Sequence, residues 1–283
     1  MSERATPTAL TIAGSDSGGG AGIQADLKAF ASCGVHGTSA ITAITAQNTT
    51  GVEAIDPVPP ETILAQVRAV LADIRVDAVK IGMLGTLAGT QAVARALDEL
   101  APGTPVVVDP VMVAESGARL LDELAERALI EQILPRAGVL TPNLLEARVL
   151  AARPRVPGED EAAEAEALAR ALLALGSRAV VVTGGHRDRA VDLFFERGGA
   201  DPVEIPGERH PDGAAHGSGC THSSLLAAQL ALGRTPLQAA RIARALAGAA
   251  VRDGLRDVGA GPGPVDVIGL ARIRADRESD LER

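Results

Sequence analysis

Three features of this 283-residue sequence predict an α/β fold. Short β-branched or apolar runs end in glycine-rich turns, and helical periodicity follows them, which is the order that a strand, its C-terminal loop and a crossover helix produce. Hydrophobic residues make up 46% and charged residues 22%, the profile of a soluble globular chain with a sizeable core. The length suits one large α/β domain or two smaller ones.

Composition also excludes whole classes of function. Aromatics are 1%, without Trp or Tyr, so the core must be built from Ala, Val, Leu and Ile and there are no platforms for stacking nucleic acid bases. A net charge of −9 argues further against a nucleic-acid partner, since polyanion binding rests on clustered Lys and Arg. An anionic small substrate would need local dipoles or a metal. Cys33 and Cys220 are too few for a disulfide framework, Met1–Thr8 lacks the build of a secretory signal, and no apolar run reaches membrane-spanning length. The cytoplasm is the expected compartment and no membrane partner is expected.

Taken in order, Thr8–Ala13 reads as a strand, Gly14–Gly22 as a glycine loop and the residues up to Cys33 as a helix. The loop is not a P-loop, because no Gly-Lys-Ser/Thr closes it. Asp26 enters the first helix, where its simplest reading is a solvated helix-start acid. Val35–Thr49 is a β-branched run with Gln47 and Asn48 at its end. The Gln47 amide offers both donor and acceptor, suiting the edge of an aminopyrimidine, although on sequence alone a loop-capping amide is the simpler reading. Glu61–Ile74 carries one apolar stripe and is a crossover helix. Ala78–Ile81 and Val106–Val108 are strands, ending respectively in Gly82-Met83-Leu84-Gly85 and Asp109-Pro110-Val111-Met112. Met83, Val111 and Met112 suit a core, yet each follows a strand's C-terminus, the edge where α/β sites form.

Val139–Glu146 repeats the layout, with Glu146 in the first turn of a helix. Asp109 and Glu146 are thus two carboxylates at neighbouring strand ends. A hard cation such as Mg²⁺ takes one or two carboxylates and keeps its other sites for phosphate oxygens, whereas the plainer role for each acid is a helix N-cap. Arg153–Gly158 is a linker-like break. Glu159–Leu175 is an acidic, alanine-rich helix with a solvated charged face. Ala179–Val182 is a buried strand leading into Thr183-Gly184-Gly185-His186, and Ala190–Phe195 with Pro202–Ile205 form an antiparallel pair. A final helix runs from Pro236 to about Asp253, and the charged tail from Arg272 is expected to fray.

The stretch His216-Gly217-Ser218-Gly219-Cys220-Thr221-His222 leads into a helical pattern beginning near Ser223. Gly217 and Gly219 allow a nest of N–H groups, and the helix start adds unpaired donors and a positive dipole end, so that a phosphoryl group could be held without lysine. Cys220 stands at the same helix start, where a thiol pKa falls from about 8.5 towards neutrality and the group could take a substrate proton. The plain alternative is a tight turn with Cys220 as a small hydrophobe.

Thr11–Lys28, Thr45–Thr49, Lys80–Leu84, Asp109–Val113, Thr141–Ala147 and His216–Thr221 occur in the order found in the hydroxymethylpyrimidine/phosphomethylpyrimidine kinases of thiamine biosynthesis, and the sequence resembles that family from about Thr8 to Gly269. The resemblance implies a ribokinase-like three-layer sandwich, a mainly parallel central sheet flanked by helices, with the site along the strands' C-terminal edge. It implies one kinase domain over residues 1–283, with a core of about 8–269 and a charged tail of about 272–283. ATP and Mg²⁺ are the implied cofactors and 4-amino-5-hydroxymethyl-2-methylpyrimidine and its monophosphate the substrates, in a homodimer. By matching positions, Gln47 would bind the pyrimidine edge, with Gly14, Met83 and Val111 around the ring and Asp26 near the hydroxymethyl group. Cys220 would be the base and the Gly217–Cys220 backbone, with Ser218 and Gly219, the anion hole. Thr183, Gly185 and Asn143 would face ATP, and Asp109 and Glu146 the metal. Most of the wider ribokinase group carries Asp where this chain has Cys220. At two turns where the family usually carries Lys, this chain has Thr183 and Glu115, and each change removes positive charge near the phosphates. The competing expectations are a pyridoxine/pyridoxal kinase and a non-catalytic pyrimidine-binding relative.

Overall fold

The computed structural model describes residues 6–113, 120–184, 190–199, 201–270 and 272–274. Strand β1 (Thr8–Asp16) runs past the apolar segment to the start of the glycine loop, which hands the chain to helix α1 (Gly22–Ser32). Strand β2 (His36–Asn48) pairs parallel with β1 and then reverses into β3 (Gly51–Pro57), an antiparallel edge strand absent from the sequence expectations. Its side chains are mostly exposed, so no buried face left an apolar alternation to read. Helix α2 (Pro60–Asp73) buries Ile63, Leu64 and Val67 and leads to β4 (Ala78–Ile81). Helix α3 (Leu87–Leu97), capped by Thr86, precedes β5 (Val106–Val108), and α4 (Glu123–Ala128), capped by Asp122, precedes β6 (Val139–Leu140).

Helix α5 (Leu144–Leu150) follows β6, and α6 (Glu161–Ala174) starts on an Asp160 cap. The charges of α6 are not all solvated: Glu164 is buried and takes two hydrogen bonds, of 2.7 and 2.9 Å, from Arg148 on α5. Strands β7 (Ala179–Val182), β8 (Val191–Glu196) and β9 (Val203–Pro206) complete the sheet, with β8 antiparallel to both neighbours. Helix α7 begins earlier than its apolar pattern suggests, at Ser218 rather than near Ser223, and runs to Ala231. Helix α8 (Pro236–Arg252) starts from a Thr235–Gln238 capping box with Pro at its first position. Arg272–Arg274 are helical, and the rest of the charged tail lies outside the described residues.

The nine strands form one sheet in the order β3-β2-β1-β4-β5-β6-β7-β8-β9, parallel from β2 through β7. Period-two alternation sends Leu10, Ile12, Val79, Ile81, Val106 and Val108 into a core under α2 to α6. Ala9, Ala78, Val107, Ala179 and Val181 face the opposite core, under α1, α7 and α8. On that side three of the five are alanines, so helices can sit close to the sheet. Each buried Val, Leu or Ile contributes about 1.5–3 kcal/mol, which lets a core with almost no aromatics hold. After β2 the chain crosses back to place β4 on the other side of β1. That reversal opens a crevice at the C-terminal ends of β1 and β4, where ligands of open α/β sheets bind. Among the described residues, no helix is long and apolar enough to cross a membrane.

Candidate active site

A lysine lies in the apolar run Ala78-Val79-Lys80-Ile81 of β4, and burying an ammonium requires partners. Lys80 is fully buried; its Nζ donates to Asp26 Oδ1 at 2.8 Å and lies 4.0 Å from Asp109 Oδ2. Burial pulls the Lys80 pKa down, but the charges of Asp26, Cys220 and Asp109 outweigh it and the ammonium stays charged. Asp26 is therefore not a solvated helix-start acid. Its carboxylate also accepts from Ser224 Oγ at 2.7 Å and Thr11 Oγ1 at 2.6 Å, and its side chain is completely buried. Both Asp26 oxygens thus meet internal partners. Sequence reasoning gave Lys80, Thr11, Ser223 and Ser224 no role. The single charge in a buried strand was the signal that could have found the first.

The turn before α7 is built differently from a free glycine loop. Gly217 is the N-cap at φ 78°, and a Cβ there would overlap the carbonyl oxygen of Gly20. Gly219 borders open space instead, so its missing side chain serves approach from outside. The Ser218 N–H donates to Ala215 O at 2.9 Å and that of Thr221 to Gly217 O at 2.9 Å. The N–H groups of Gly219 and Cys220, in the helix's first turn, have no intrahelical acceptor. Cys220 is partly exposed, yet its sulfur is packed among carboxylates. Burial pushes the thiol up to about 12; Asp109 and Asp26 add to this, while Lys80 and a hydrogen bond with the Gly22 backbone oppose it. The expected fall in pKa at a helix start does not occur, because a single turn's dipole is outweighed by desolvation and two nearby anions.

Gln47 is held by its backbone: its N–H donates to Ser17 Oγ at 2.8 Å, and Ser17 Oγ donates to its carbonyl at 2.6 Å. Its side-chain oxygen accepts from Thr45 Oγ1 at 3.1 Å, which fixes the amide orientation. Gly14 lies against Met83, where an added Cβ would stand 3.1 Å from the Met83 sulfur. Met83 is buried, with its carbonyl accepting from Thr42 Oγ1 at 2.6 Å, and Val111 is half-buried, with its N–H turned back to Asp109 O at 2.8 Å. Gly14 and Gln47 thus lie near the C-terminal ends of β1 and β2, while Met83 and Val111 follow β4 and β5, all on one edge of the sheet.

Asp109 and Glu146 form the other end. Asp109 is buried, and Ser223 Oγ donates to it at 2.9 Å. Burial raises its carboxyl above the usual range despite Lys80. Glu146 closes a capping box with Asn143: Asn143 N–H donates to Glu146 Oε2 at 2.9 Å and Glu146 N–H to Asn143 Oδ1 at 2.9 Å. Burial, then the Asp109 charge, push Glu146 up to about 8. Two carboxyls held above their usual range, Glu146 partly through the charge of Asp109, fit a hard divalent cation, so Mg²⁺ suits this donor set. Among the described residues no group of three or more potential ligands gathers. Thr183 pairs with the Asn143 segment, its N–H donating to Pro142 O at 2.9 Å. Gly185 and Glu115 lie outside the described residues. A cleft of about 540 Å³ beside β3, lined by Ile55, Pro57, Thr86, Leu120 and Leu124, carries none of these groups and stands apart from this chemistry.

Comparison with known proteins agrees with the geometry. The family model of phosphomethylpyrimidine kinase matches residues 16–266. The hydroxymethylpyrimidine/phosphomethylpyrimidine kinase of Rhizobium meliloti is 48% identical over 92% of this chain and 96% of its own. Among solved structures, the phosphomethylpyrimidine kinase of Clostridium difficile superposes with a TM-score of 0.72 at 37% identity, covering 84% of this chain and 96% of its own. A Staphylococcus aureus pyridoxal kinase in complex with AMP-PCP superposes at 0.84 with 32% identity, covering 95% and 96%. Backbone similarity thus extends across both kinds of kinase, while the matched family model and the higher identities fall on the pyrimidine side. The chain belongs to the phosphomethylpyrimidine kinase family.

Proposed function

We propose that this enzyme transfers the γ-phosphoryl group of ATP to the hydroxymethyl oxygen of 4-amino-5-hydroxymethyl-2-methylpyrimidine, and then to the resulting monophosphate, in thiamine biosynthesis. The observation that carries the reading is the start of α7, where two unpaired N–H groups and Cys220 stand beside a buried Lys80. In each transfer an acceptor oxygen forms a bond to the γ-phosphorus as the bond to the β–γ bridging oxygen breaks and ADP leaves. Charge gathers on the transferred phosphoryl oxygens, and the Gly219 and Cys220 N–H groups would meet it in the crevice.

Gln47 would pair with the pyrimidine edge, with Gly14, Met83 and Val111 forming the ring's surroundings, and Asn143 and Thr183 would border the nucleotide. Cys220 would accept the hydroxyl proton of the first substrate. In the unliganded protein its thiol keeps its own proton, so this role requires that the balance between Lys80 and the two carboxylates shift when ligands bind. Asp109 and Glu146 would hold Mg²⁺, which when bound supplies positive charge to the phosphate oxygens. We place the protein in the cytoplasm and read it as a homodimer, for which the long unpaired edge of β3 offers backbone groups to a second copy. Sedimentation at assay concentration tests that state.

The catalytic reading is tested by following ADP release with hydroxymethylpyrimidine, its monophosphate and pyridoxal in turn. Turnover of both pyrimidines is expected. Turnover of pyridoxal alone would move the protein to the vitamin B6 kinases, and turnover of none would make it a binding relative.

A further inference from the structure

Asp16, at the end of β1, curls the glycine loop around its own carboxylate. Its Oδ1 accepts from Gly18 N–H at 2.8 Å, and its Oδ2 from Gly20 N–H at 3.0 Å and Ala21 N–H at 2.8 Å. These donors are turned inward, so the loop has none of them left for a phosphate, despite its five glycines between positions 14 and 22. A fourth contact comes from 200 residues away: His216 Nε2 lies 3.1 Å from Asp16 Oδ2, with both side chains buried. Since a carboxylate only accepts, Nε2 carries the hydrogen. Burial pushes the Asp16 carboxyl up, but the bonds from His216, Ala21 and Gly18 outweigh it and hold it below the usual range.

His216 immediately precedes Gly217, whose Cα is seated on Gly20 O with no room for a side chain, and the His216 ring fills the space over Gly20. The far side of His216 is fixed too: its N–H donates to Gly263 O at 3.2 Å and its carbonyl accepts from Val265 N–H at 3.2 Å. Two residues of the same loop complete the join. Ser17 grips the backbone of Gln47, and Gly22 makes a hydrogen bond with Cys220. One loop therefore touches the groups assigned to the pyrimidine and the turn assigned to the phosphoryl group, and Asp16–His216 joins it to the turn between two buried side chains, beside the Gly22–Cys220 bond.

We infer that His216 and Asp16 are positioning residues for phosphoryl transfer: their contact sets the distance between the pyrimidine held at Gln47 and the N–H groups of Gly219 and Cys220. The inference rests on the proposed assignment of that turn to the transferred phosphoryl. A misplacement of about 1 Å between bound reactants can cost about 10²-fold in rate. A loosened clasp leaves each half-site intact, so binding of the separate substrates survives while their alignment is lost.

The test compares His216→Leu, His216→Gln and Asp16→Asn with the wild type in steady-state kinetics against hydroxymethylpyrimidine and ATP, with melting temperature measured for each. His216→Leu is expected to lower kcat by about 10- to 100-fold, with both KM values changing less than about threefold. His216→Gln, which keeps an N–H donor, should recover at least a third of wild-type kcat. Asp16→Asn combined with His216→Gln should lose no more than Asp16→Asn alone, since both changes act on one contact. A His216→Leu enzyme that is folded and turns over at the wild-type rate would overturn the inference. If His216→Leu does not fold, the Asp16→Asn and His216→Gln cycle decides, and additive losses sink the proposal. Failure of the turn assignment itself reads differently: Cys220→Ala and Gly219→Ala would then leave kcat at the wild-type value.

Discussion

Asp26 and Glu146 are carboxylates of similar placement, each in the first turns of a helix that follows a strand of the same sheet, yet the protein treats them in opposite ways. Asp26 is closed off, with Lys80, Ser224 and Thr11 on its oxygens. Glu146 has a backbone donor in Asn143, and burial together with the charge of Asp109 pushes it up to about 8. The difference lies in the cation. One half of the centre carries its own positive charge in Lys80, and the other leaves a deficit that an external cation and its phosphates can fill. Stability therefore rests on the first half, while the second is the half to which the proposed Mg²⁺ role belongs.

Removing the internal cation should have the largest effect. Lys80→Met leaves Asp26 buried without its counter-charge, and breaking a buried pair in this way costs about 3–5 kcal/mol. Thermal unfolding of the variant should show a loss of that order, and the double variant Asp26→Asn, Lys80→Met should regain a good part of it. A Lys80→Met protein as stable as the wild type would erase the contrast between the two halves.

Cys220 feels the charges of both halves, with Lys80 opposing and Asp109 and Asp26 adding to the rise of its pKa. General-base help is commonly worth about 10²–10⁴-fold, so Cys220→Ala should lower kcat by that order while KM for the pyrimidine holds. Cys220→Asp should restore part of the rate, as a carboxylate can accept the same proton. Full activity in Cys220→Ala would reduce the thiol to packing and leave catalysis to the N–H groups and the metal.

Much of this was legible before the coordinates. The order of strands, glycine turns and helices was readable because buried parallel strands leave short β-branched runs, and Gln47, Asp109, Glu146 and Cys220 could be named because each follows a strand end or starts a helix. What escaped reading depends on three-dimensional neighbours. Nothing local to Asp26 says that Lys80, 54 positions later, will face it. The same holds for Asp16 and His216, and for the rise of the Cys220 pKa, which reverses the local helix-start argument through carboxylates on α1 and after β5. Helix α3 and strand β3 were passed over for different reasons. The α3 segment Leu87–Leu97 mixes Gly, Thr, Gln and Ala into its buried face, which dilutes an apolar stripe, and β3 buries too little to have one.

The open half can be sharpened by titration. Glu146→Ala should raise the Mg²⁺ concentration needed for half-maximal activity, as should Asp109→Ala; superimposable Mg²⁺ curves for wild type and both variants would remove these residues from the metal site. The pH dependence has a definite sign. A carboxyl raised from about 4.5 to about 8 on folding binds its proton more tightly in the native state, so without metal its contribution to stability falls as pH rises through that interval and levels off above it. Glu146→Gln should flatten the decline in melting temperature between about pH 5 and 8, and Mg²⁺ should flatten it in the wild type.

Gln47 tests the comparison from outside, because it is neutral and is held by Ser17, Thr45 and its pairing with Val52 of β3. If the two halves differ through charge alone, a variant at this position should disturb neither the thermal stability that depends on Lys80 nor the Mg²⁺ dependence that depends on Glu146. Its effect should fall on the pyrimidine. An aminopyrimidine edge whose partner is truncated to alanine is left with an unpaired buried polar group, a cost of about 1–3 kcal/mol, equivalent to roughly 5- to 150-fold weaker substrate binding. Since Gln47 keeps its place through main-chain bonds to Ser17, the alanine variant retains those bonds and the loop should not shift. Gln47→Glu extends the argument: it keeps the acceptor but loses the two amide donors, so a loss as large as that of Gln47→Ala would show that donation to the ring carries the recognition. Unchanged KM and kcat in Gln47→Ala would remove it from the substrate site and leave it as the amide that caps the end of β2.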